Sequence, residues 1–564
     1  MFKQRGHTET QRVFAEISRE ARDPYRHQKA YCQTVRLRDP RGYRDPSPAK
    51  PAGSGLWKNA PLWPLWLALA LLVSCSGHPD PNTLVMIIEA SPTNLDPRVG
   101  TDAYSERIAG LIFDSLVRKD EHFALHPWVA EKWESPDPQT YVFHLRKNIH
   151  FHDGRSLSAR DVKWTLDSLL NKTVVSLRAA AYRHVAAVEA PDDSTVIIRL
   201  SEPDATVLWS LSDGAFGIVP YGSGKELASQ PVGSGPFRFV RQEPDREVVL
   251  ERNNAYWTTP ARVERIRLAV VPDMTTRALE LRKGSADLTP PNSLTADLAN
   301  TLRHERNLEV VKETGTGLVY LAFNLRDPIL KDVRVRQAMA YAIDREIMLR
   351  ALFGGYGQLA DSLLPPQHWA YSNDVAHYEH SPEKANALLD AAGFARGPDG
   401  IRFHLTMKTS TEETARLQAA VLQQQLREVG IALDIRTFEF GTFYSDITKG
   451  AFQLYSLRWV GGTNQDPDIF EYVFYSGSFP PKRANRGYYS NPEADRLIDE
   501  GRRTVDQAKR KQIYAELQRI LARDLPYIDF WYMDNVTVHS TRIRNVHAGP
   551  SGNYDFLTEV EWAR

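Results

Sequence analysis

The chain of 564 residues exceeds the roughly 250–300 at which a single hydrophobic core stops growing, so two or three domains are expected. Seventy basic side chains balance seventy acidic ones, which leaves no net field to draw in nucleic acid. Two cysteines, Cys32 and Cys75, exclude a disulfide-stapled scaffold, and an aromatic fraction of 10% is compatible with an aromatic-lined ligand cleft, although packing is the ordinary use of such residues.

Residues 1–55 are Arg-rich, lack sustained apolar periodicity and end in a Pro/Gly/Ser-rich run. They are expected to be a disordered extension, or to lie upstream of a true translation start near Lys58; a cytoplasmic extension is the alternative. Residues 56–75 read as a signal peptide, because the apolar run 60–73, about fourteen residues, falls short of the roughly 20 that span a bilayer. The run closes on Leu72-Val73-Ser74-Cys75, which resembles a bacterial lipobox: small residues before the cysteine admit a signal peptidase, and the Cys75 thiol would carry the lipid. A free thiol ending a short apolar helix is the plain alternative.

Residues 76–81 form a tether, 84–88 a buried strand and 91–97 a loop. A helix follows in which Ile108, Leu111, Ile112 and Leu116 share a face, with Asp102 and Tyr104 near its N-terminus. Residues 141–145 alternate as a strand that stays extended through His150 and His152 to Asp153-Gly154, a dipeptide suited to φ > 0 in a tight turn. Ser158, with Asp161 three residues on, makes a capping-box-like start to a helix carrying Val162, Leu166 and Leu169. Residues 195–200 alternate as another strand. Residues 233–257 read as a hairpin, with Phe237 and Phe239 on one strand, Val248 and Leu250 on the other, and the reversal at Pro244-Asp245. A strand over 265–271 and a helix over 275–282, stopped by Gly284, come next. A strand over 318–324, a long helix over 332–353 and a Pro-rich crossing over 363–369 then precede a helix opened by Ser381-Pro382 and stopped by Gly393. Strand 404–408, helix 413–429, its stop Gly430 and strand 431–438 argue for a βαβ unit and a sheet flanked by helices.

The segment 145–166, Leu-Arg-Lys-x-x-x-Phe-His-Asp-Gly-x-x-Leu-x-Ala-x-Asp-Val-x-x-x-Leu, is similar to the signature of the family 5 solute-binding proteins, the dipeptide-, oligopeptide- and nickel-binding receptors of ABC importers. Gly233-Ser-Gly-Pro-Phe237, Asn253-Asn-Ala-Tyr-Trp257, residues 332–346, Trp459, Asp466-Pro-Asp468 and Asn491-Pro-Glu-Ala-Asp-Arg-Leu497 follow in the family's order, so the resemblance runs from about Leu84 to the C-terminus. It implies an α/β fold, a periplasmic-binding-protein-like type II clamshell of two lobes plus an extra inserted domain. Domain I would comprise residues 76–122, 233–315 and 531–564, domain II residues 123–232, and domain III residues 316–530. The implied function is capture of a small solute, a peptide first of all, and its delivery to an ABC transporter permease. The implied protein is an extracytoplasmic monomer, anchored to a bacterial membrane through lipidated Cys75, with no cofactor and no catalytic residues.

Chemistry-bearing motifs outside that resemblance are weak. His150 and His152 face the same way on a strand but have no third ligand in sequence, so no metal is expected. Gly222-Ser-Gly-Lys225 lacks the first glycine of a phosphate loop, and Gly233-Ser234-Gly235 lacks the frame of a nucleophile elbow. The stretch expected to touch ligand is Trp459, Val460, Gly461, Gly462, Thr463, Asn464 and Asp466, where an aromatic feeds a loop open to close backbone approach and rich in short polar side chains. A strand-to-helix loop beside a core Trp is the bland alternative. Tyr104 completes the expected ligand set. In the family's peptide receptors an Asp three residues after this Trp holds the ligand ammonium. Here that place is Gly462, and Asp466 is the available substitute. Lobe closure is expected to hinge near Val232-Gly233 and Thr316-Gly317. A secreted hydrolase of peptides or glycans, or a sensor or chaperone of the same fold, is the rival function.

Overall fold

The strand Thr83–Ile88 is buried along its whole length, as its unbroken apolar run requires, and pairs in parallel with Arg265–Val270. Glu247–Arg252 and Phe237–Glu243 complete this first, four-stranded sheet, with Phe239 opposite Leu250 and Asp245 at φ 57° in the reversal. The computed structural model describes residues 82–212, 216–459 and 466–563, all within the unit Asp80–Arg564, so the expectations placed on residues 1–81, Cys75 among them, lie outside the described residues. The helix Ala103–Ile112 packs Ile108, Leu111 and Ile112 against the first sheet and is capped by Asp102, whose carboxylate accepts from the Ser105 N–H at 2.9 Å. It ends where Phe113 turns extended. Leu116 therefore lies beyond the helix and joins a different core, instead of sharing the helix face.

That second core belongs to an antiparallel sheet ordered Ala130–Asp137, Thr140–Leu145, Thr195–Leu200 and Val185–Asp192, covered by the helix Ala159–Leu170. Asp161 accepts from both the N–H and the hydroxyl of Ser158 at 2.8 Å, and its other oxygen takes the Tyr221 N–H at 2.7 Å. The turn glycine, Gly154, has φ 88°. His152 is spent on structure: its backbone N–H donates to the Gly233 carbonyl at 2.7 Å and its ring Nε2 to that of Gly235 at 3.0 Å, while burial pushes the imidazole down to about 4. Gly233 and Gly235 lie against the Ile112 backbone so closely that a Cβ at either would collide with it, and this close approach is the reason for glycine there. The carbonyls of Ser223 and Gly224 receive Arg98 Nη1 and Nη2 at 3.3 and 3.2 Å, so the Gly-Ser-Gly-Lys loop turns acceptors, not donors, to its partner.

The third sheet has six strands, ordered Gly357–Leu359, Tyr527–Ser540, Leu308–Phe323, Leu454–Trp459, Phe403–Ser410 and Ile431–Phe438. The last two are parallel and joined by the helix Glu413–Glu428, the expected βαβ unit. Residues 332–353 form two helices, Val333–Ala342 and Arg345–Phe353, and not one. Asp344 opens the second by accepting from the Ile347 N–H at 2.9 Å, a cap that outcompetes continuation. The antiparallel strands Leu308–Phe323 and Tyr527–Ser540 are longer than one sheet needs. Their outer ends, Leu308 to Glu313 against Asn535 to Ser540, attach to the first sheet through Leu288, which bridges both Met86 and His539. Their inner ends lie in the third sheet, and the register breaks between Glu313 and Gly317, where Gly315 is pressed against the Met533 carbonyl.

Buried polar groups fix these pieces. Arg336 donates to the carbonyls of Leu330, Lys331, Asp524 and Leu525, closing the C-terminus of the helix Gln507–Asp524, and burial lowers its pKa to about 10. Asp114, 2% exposed, accepts from Trp128 Nε1 at 2.8 Å, the Tyr256 hydroxyl at 2.9 Å, the Ser234 hydroxyl at 2.9 Å and Trp257 Nε1 at 3.0 Å. Removing the carboxylate strands four donors inside the fold. Asp114→Ala is expected to lower the unfolding free energy by roughly 3 kcal/mol or more in chemical denaturation; a loss under about 1 kcal/mol would show that water replaces the carboxylate.

Candidate functional site

The strand Leu454–Trp459 pairs with Leu318 to Phe323 and, by the two-residue period of a strand, turns Tyr455, Leu457 and Trp459 to one face and Ser456 and Arg458 to the other. It runs directly into residues 460–465, so Val460, Gly461, Gly462, Thr463 and Asn464 lie outside the described residues, and the chain resumes at Asp466. Trp459 belongs to the third sheet's core. Its ring stacks on Tyr320 at 5.8 Å, meets Tyr472 edge-on at 6.1 Å and lies 5.5 Å from the Arg486 guanidinium, leaving Nε1 without a partner among the described residues.

Asp466 follows on the same side. One oxygen accepts from the Asp468 N–H at 2.7 Å, and Arg510 Nη2 stands 4.0 Å from the carboxylate. Arg510 is fully buried, donates Nε to the Gly501 carbonyl at 3.0 Å and lies 4.5 Å from the Trp209 ring and 5.4 Å from that of Trp369, two indoles stacked at 5.7 Å. Trp209 comes from the second core and Trp369 touches both, so this cation is clamped where second and third sheets meet. Burial pushes the Asp466 carboxyl up to about 6, with Arg510 pulling the other way.

The opposite face of the strand borders a cleft of about 350 Å³, within the range of small-ligand pockets. Glu89, Arg277 and Ser293 line it from the first sheet's side, and Thr414, Arg458 and Asp534 from the third's. Its charges are mostly spent: Glu89 lies 3.5 Å from Arg277, and Asp534 2.9 Å from Lys312. Nearby Glu412 caps its helix, accepting from the N–H groups of Thr414 and Ala415 at 3.1 and 2.7 Å. Tyr104, half-buried beside the first core, is hydrogen-bonded to Glu89, and burial together with that carboxylate raises its phenol. The expected ligand residues are thus divided: Tyr104 adjoins the cleft through Glu89, whereas Trp459 and Asp466 lie across the strand from it. Arg458, Arg277, Ser293 and Glu89 were not singled out by sequence. Arg458 carried a legible signal, since alternation from a core-facing Trp459 places it on the opposite face; Arg277, inside an amphipathic helix, carried none.

A cleft walled by two α/β units joined through paired crossing strands, lined by a few convergent polar groups, defines a periplasmic-binding-type receptor for a small solute. The sequence profile of the bacterial extracellular solute-binding proteins, family 5 (middle), matches residues 124–480, and the chain belongs to that family. It is 28% identical to the dipeptide-binding protein of Escherichia coli K12 over 508 residues, covering 85% of this chain and 93% of that one. It is also 28% identical to heme-binding protein A of Haemophilus influenzae, over 84% and 91% of the two chains. The structure of the ABC transporter-associated periplasmic binding protein DppA from Helicobacter pylori, in complex with the peptide STSA, superposes with a TM-score of 0.67 at 26% identity, over 86% of this chain and 98% of that one.

Asp466 has a consequence for stability. Its folded pKa, about 6, exceeds the roughly 3.9 of an unfolded Asp, so the folded state holds the proton more tightly. That contribution is complete below about pH 4 and is lost as pH rises through 6. Relative to Asp466→Asn, the native protein should lose on the order of 2 kcal/mol between pH 4 and 7. Denaturation of both proteins at the two pH values measures the change in their difference; a constant difference would place the folded pKa near 4.

Proposed function

We propose that this protein captures peptides outside the cytoplasm and passes them to an ABC transporter permease. Membership of the solute-binding family supports the receptor role, and the peptide-binding relatives support the cargo class. The observation that carries the reading is the cleft of about 350 Å³ between the first and third sheets, large enough for a short peptide and walled by elements that the paired strands Leu308–Phe323 and Tyr527–Ser540 connect. Gly462 in place of the family's Asp makes a free peptide ammonium a weaker determinant here than in the relatives that carry the acid. Capture and release need no bond chemistry, so peptides mixed with the protein are expected to bind and return intact. Calorimetric titration with tri- to pentapeptide libraries, followed by mass analysis of the recovered peptides, tests this; steady hydrolysis would establish a secreted hydrolase instead.

The same reading places the mature N-terminus at Cys75, lipidated and held at a bacterial membrane. Intact-mass analysis of the membrane fraction is expected to find a chain beginning at Cys75 with an added acyl mass, and Cys75→Ala to abolish both cleavage and anchoring. A membrane-bound species that retains residues 56–74 and lacks the acyl mass would contradict it.

A further inference from the structure

Arg458 is the unspent charge of the cleft. It makes no hydrogen bond and no ion pair with any described residue, while Glu89 is held by Arg277 and Tyr104, Asp534 by Lys312, and Glu412 by the backbone of its own helix. The side chain is exposed to water at the cleft wall, where the surrounding protein lowers its pKa and Glu412 and Glu89 act on it at a distance. A second group points the same way: the Ser293 hydroxyl, 4% exposed and lining the same cleft, has no partner among the described residues. An unpaired planar cation and a free hydroxyl lining one cleft are the complement of a carboxylate, which takes guanidinium donors in pairs and accepts a hydroxyl besides.

We propose that Arg458 is the specificity-determining residue of the site and selects solutes that present a carboxylate, with Ser293 as the second contact across the cleft. This deepens the solute-receptor reading above and rests on it. In a peptide the carboxylate comes from the C-terminus or from an acidic side chain, and Arg458 would hold either through the same paired donors.

The test uses native protein, Arg458→Gln and Arg458→Lys, each purified from the native host and each exposed to tri- to pentapeptide libraries synthesised as free acids, as C-terminal amides, and as amides with Asp and Glu replaced by Asn and Gln. Native mass spectrometry reads both the co-purified solute and the library members retained. The native protein should favour carboxylate-bearing members at least about tenfold over their neutral counterparts. Arg458→Gln should weaken the carboxylate-bearing members more than the neutral ones and so remove that preference, and Arg458→Lys should restore part of it. The amide arm separates a C-terminal from a side-chain carboxylate. Equal binding of charged and neutral members by the native protein, or equal weakening of both by Arg458→Gln, overturns the proposal while leaving peptide capture intact. A native protein that retains no peptide but carries an anionic solute lost from Arg458→Gln overturns peptide capture and supports Arg458. A neutral or cationic co-purified solute, or a protein that purifies empty and retains no library member, overturns the proposal.

Discussion

One buried carboxylate decides how the N-terminal half of this protein holds together. Asp114 sits just past the first helix and collects donors from Trp128, nearby in the chain, and from Ser234, Tyr256 and Trp257, each more than a hundred positions away. A charge so deeply buried persists because each lone pair is answered, and the same condition fixes each donor's position relative to the others. The Gly-Ser-Gly-Pro-Phe and Asn-Asn-Ala-Tyr-Trp blocks therefore meet at one atom pair. His152 adds the signature turn to that junction by bonding to the backbone on either side of Ser234. Arg336 and Arg345 do comparable work in the third sheet's half, each holding backbone carbonyls from distant segments. These family motifs thus build the scaffold.

The crossing strands turn this scaffold into a receptor. Leu308–Phe323 and Tyr527–Ser540 are bonded at one end toward the first sheet and at the other into the third, so the cleft walls are linked by an antiparallel pair whose ladder is interrupted at residues 314–316. The register shifts again between Val319 and Tyr320, and a ladder so interrupted bends more readily than one whose hydrogen bonds are continuous. Gly315 permits the tight passage against Met533, and Arg458 projects from the strand beside it into the space that such bending would narrow.

Local patterns with strong chemistry were legible in the sequence: the Asp153-Gly154 turn, the Ser158-Asp161 cap, the hairpin around Asp245 and the βαβ run after Ser381 all have the backbone their residues demand. The errors came where two rules competed. Apolar spacing carried the first helix on to Leu116 and the later one across Asp344, but Phe113 turns extended and Asp344 serves as a cap, so tertiary packing and capping overrode periodicity. The site was less legible than the fold. Trp459 drew attention as an aromatic beside a glycine loop, and it packs in the core; its neighbour Arg458 is defined by what it lacks, a partner, which only three-dimensional placement of Glu89, Glu412 and Asp534 reveals.

The central claim is that the first and third sheets close upon a solute. Small-angle X-ray scattering of the protein stripped of solute by reversible unfolding, and again after saturation with a bound peptide, measures this directly. The account predicts a smaller radius of gyration and a shorter maximum dimension on saturation, reached at one equivalent of solute. An unchanged scattering curve at proven saturation would contradict closure and leave a rigid cleft in its place.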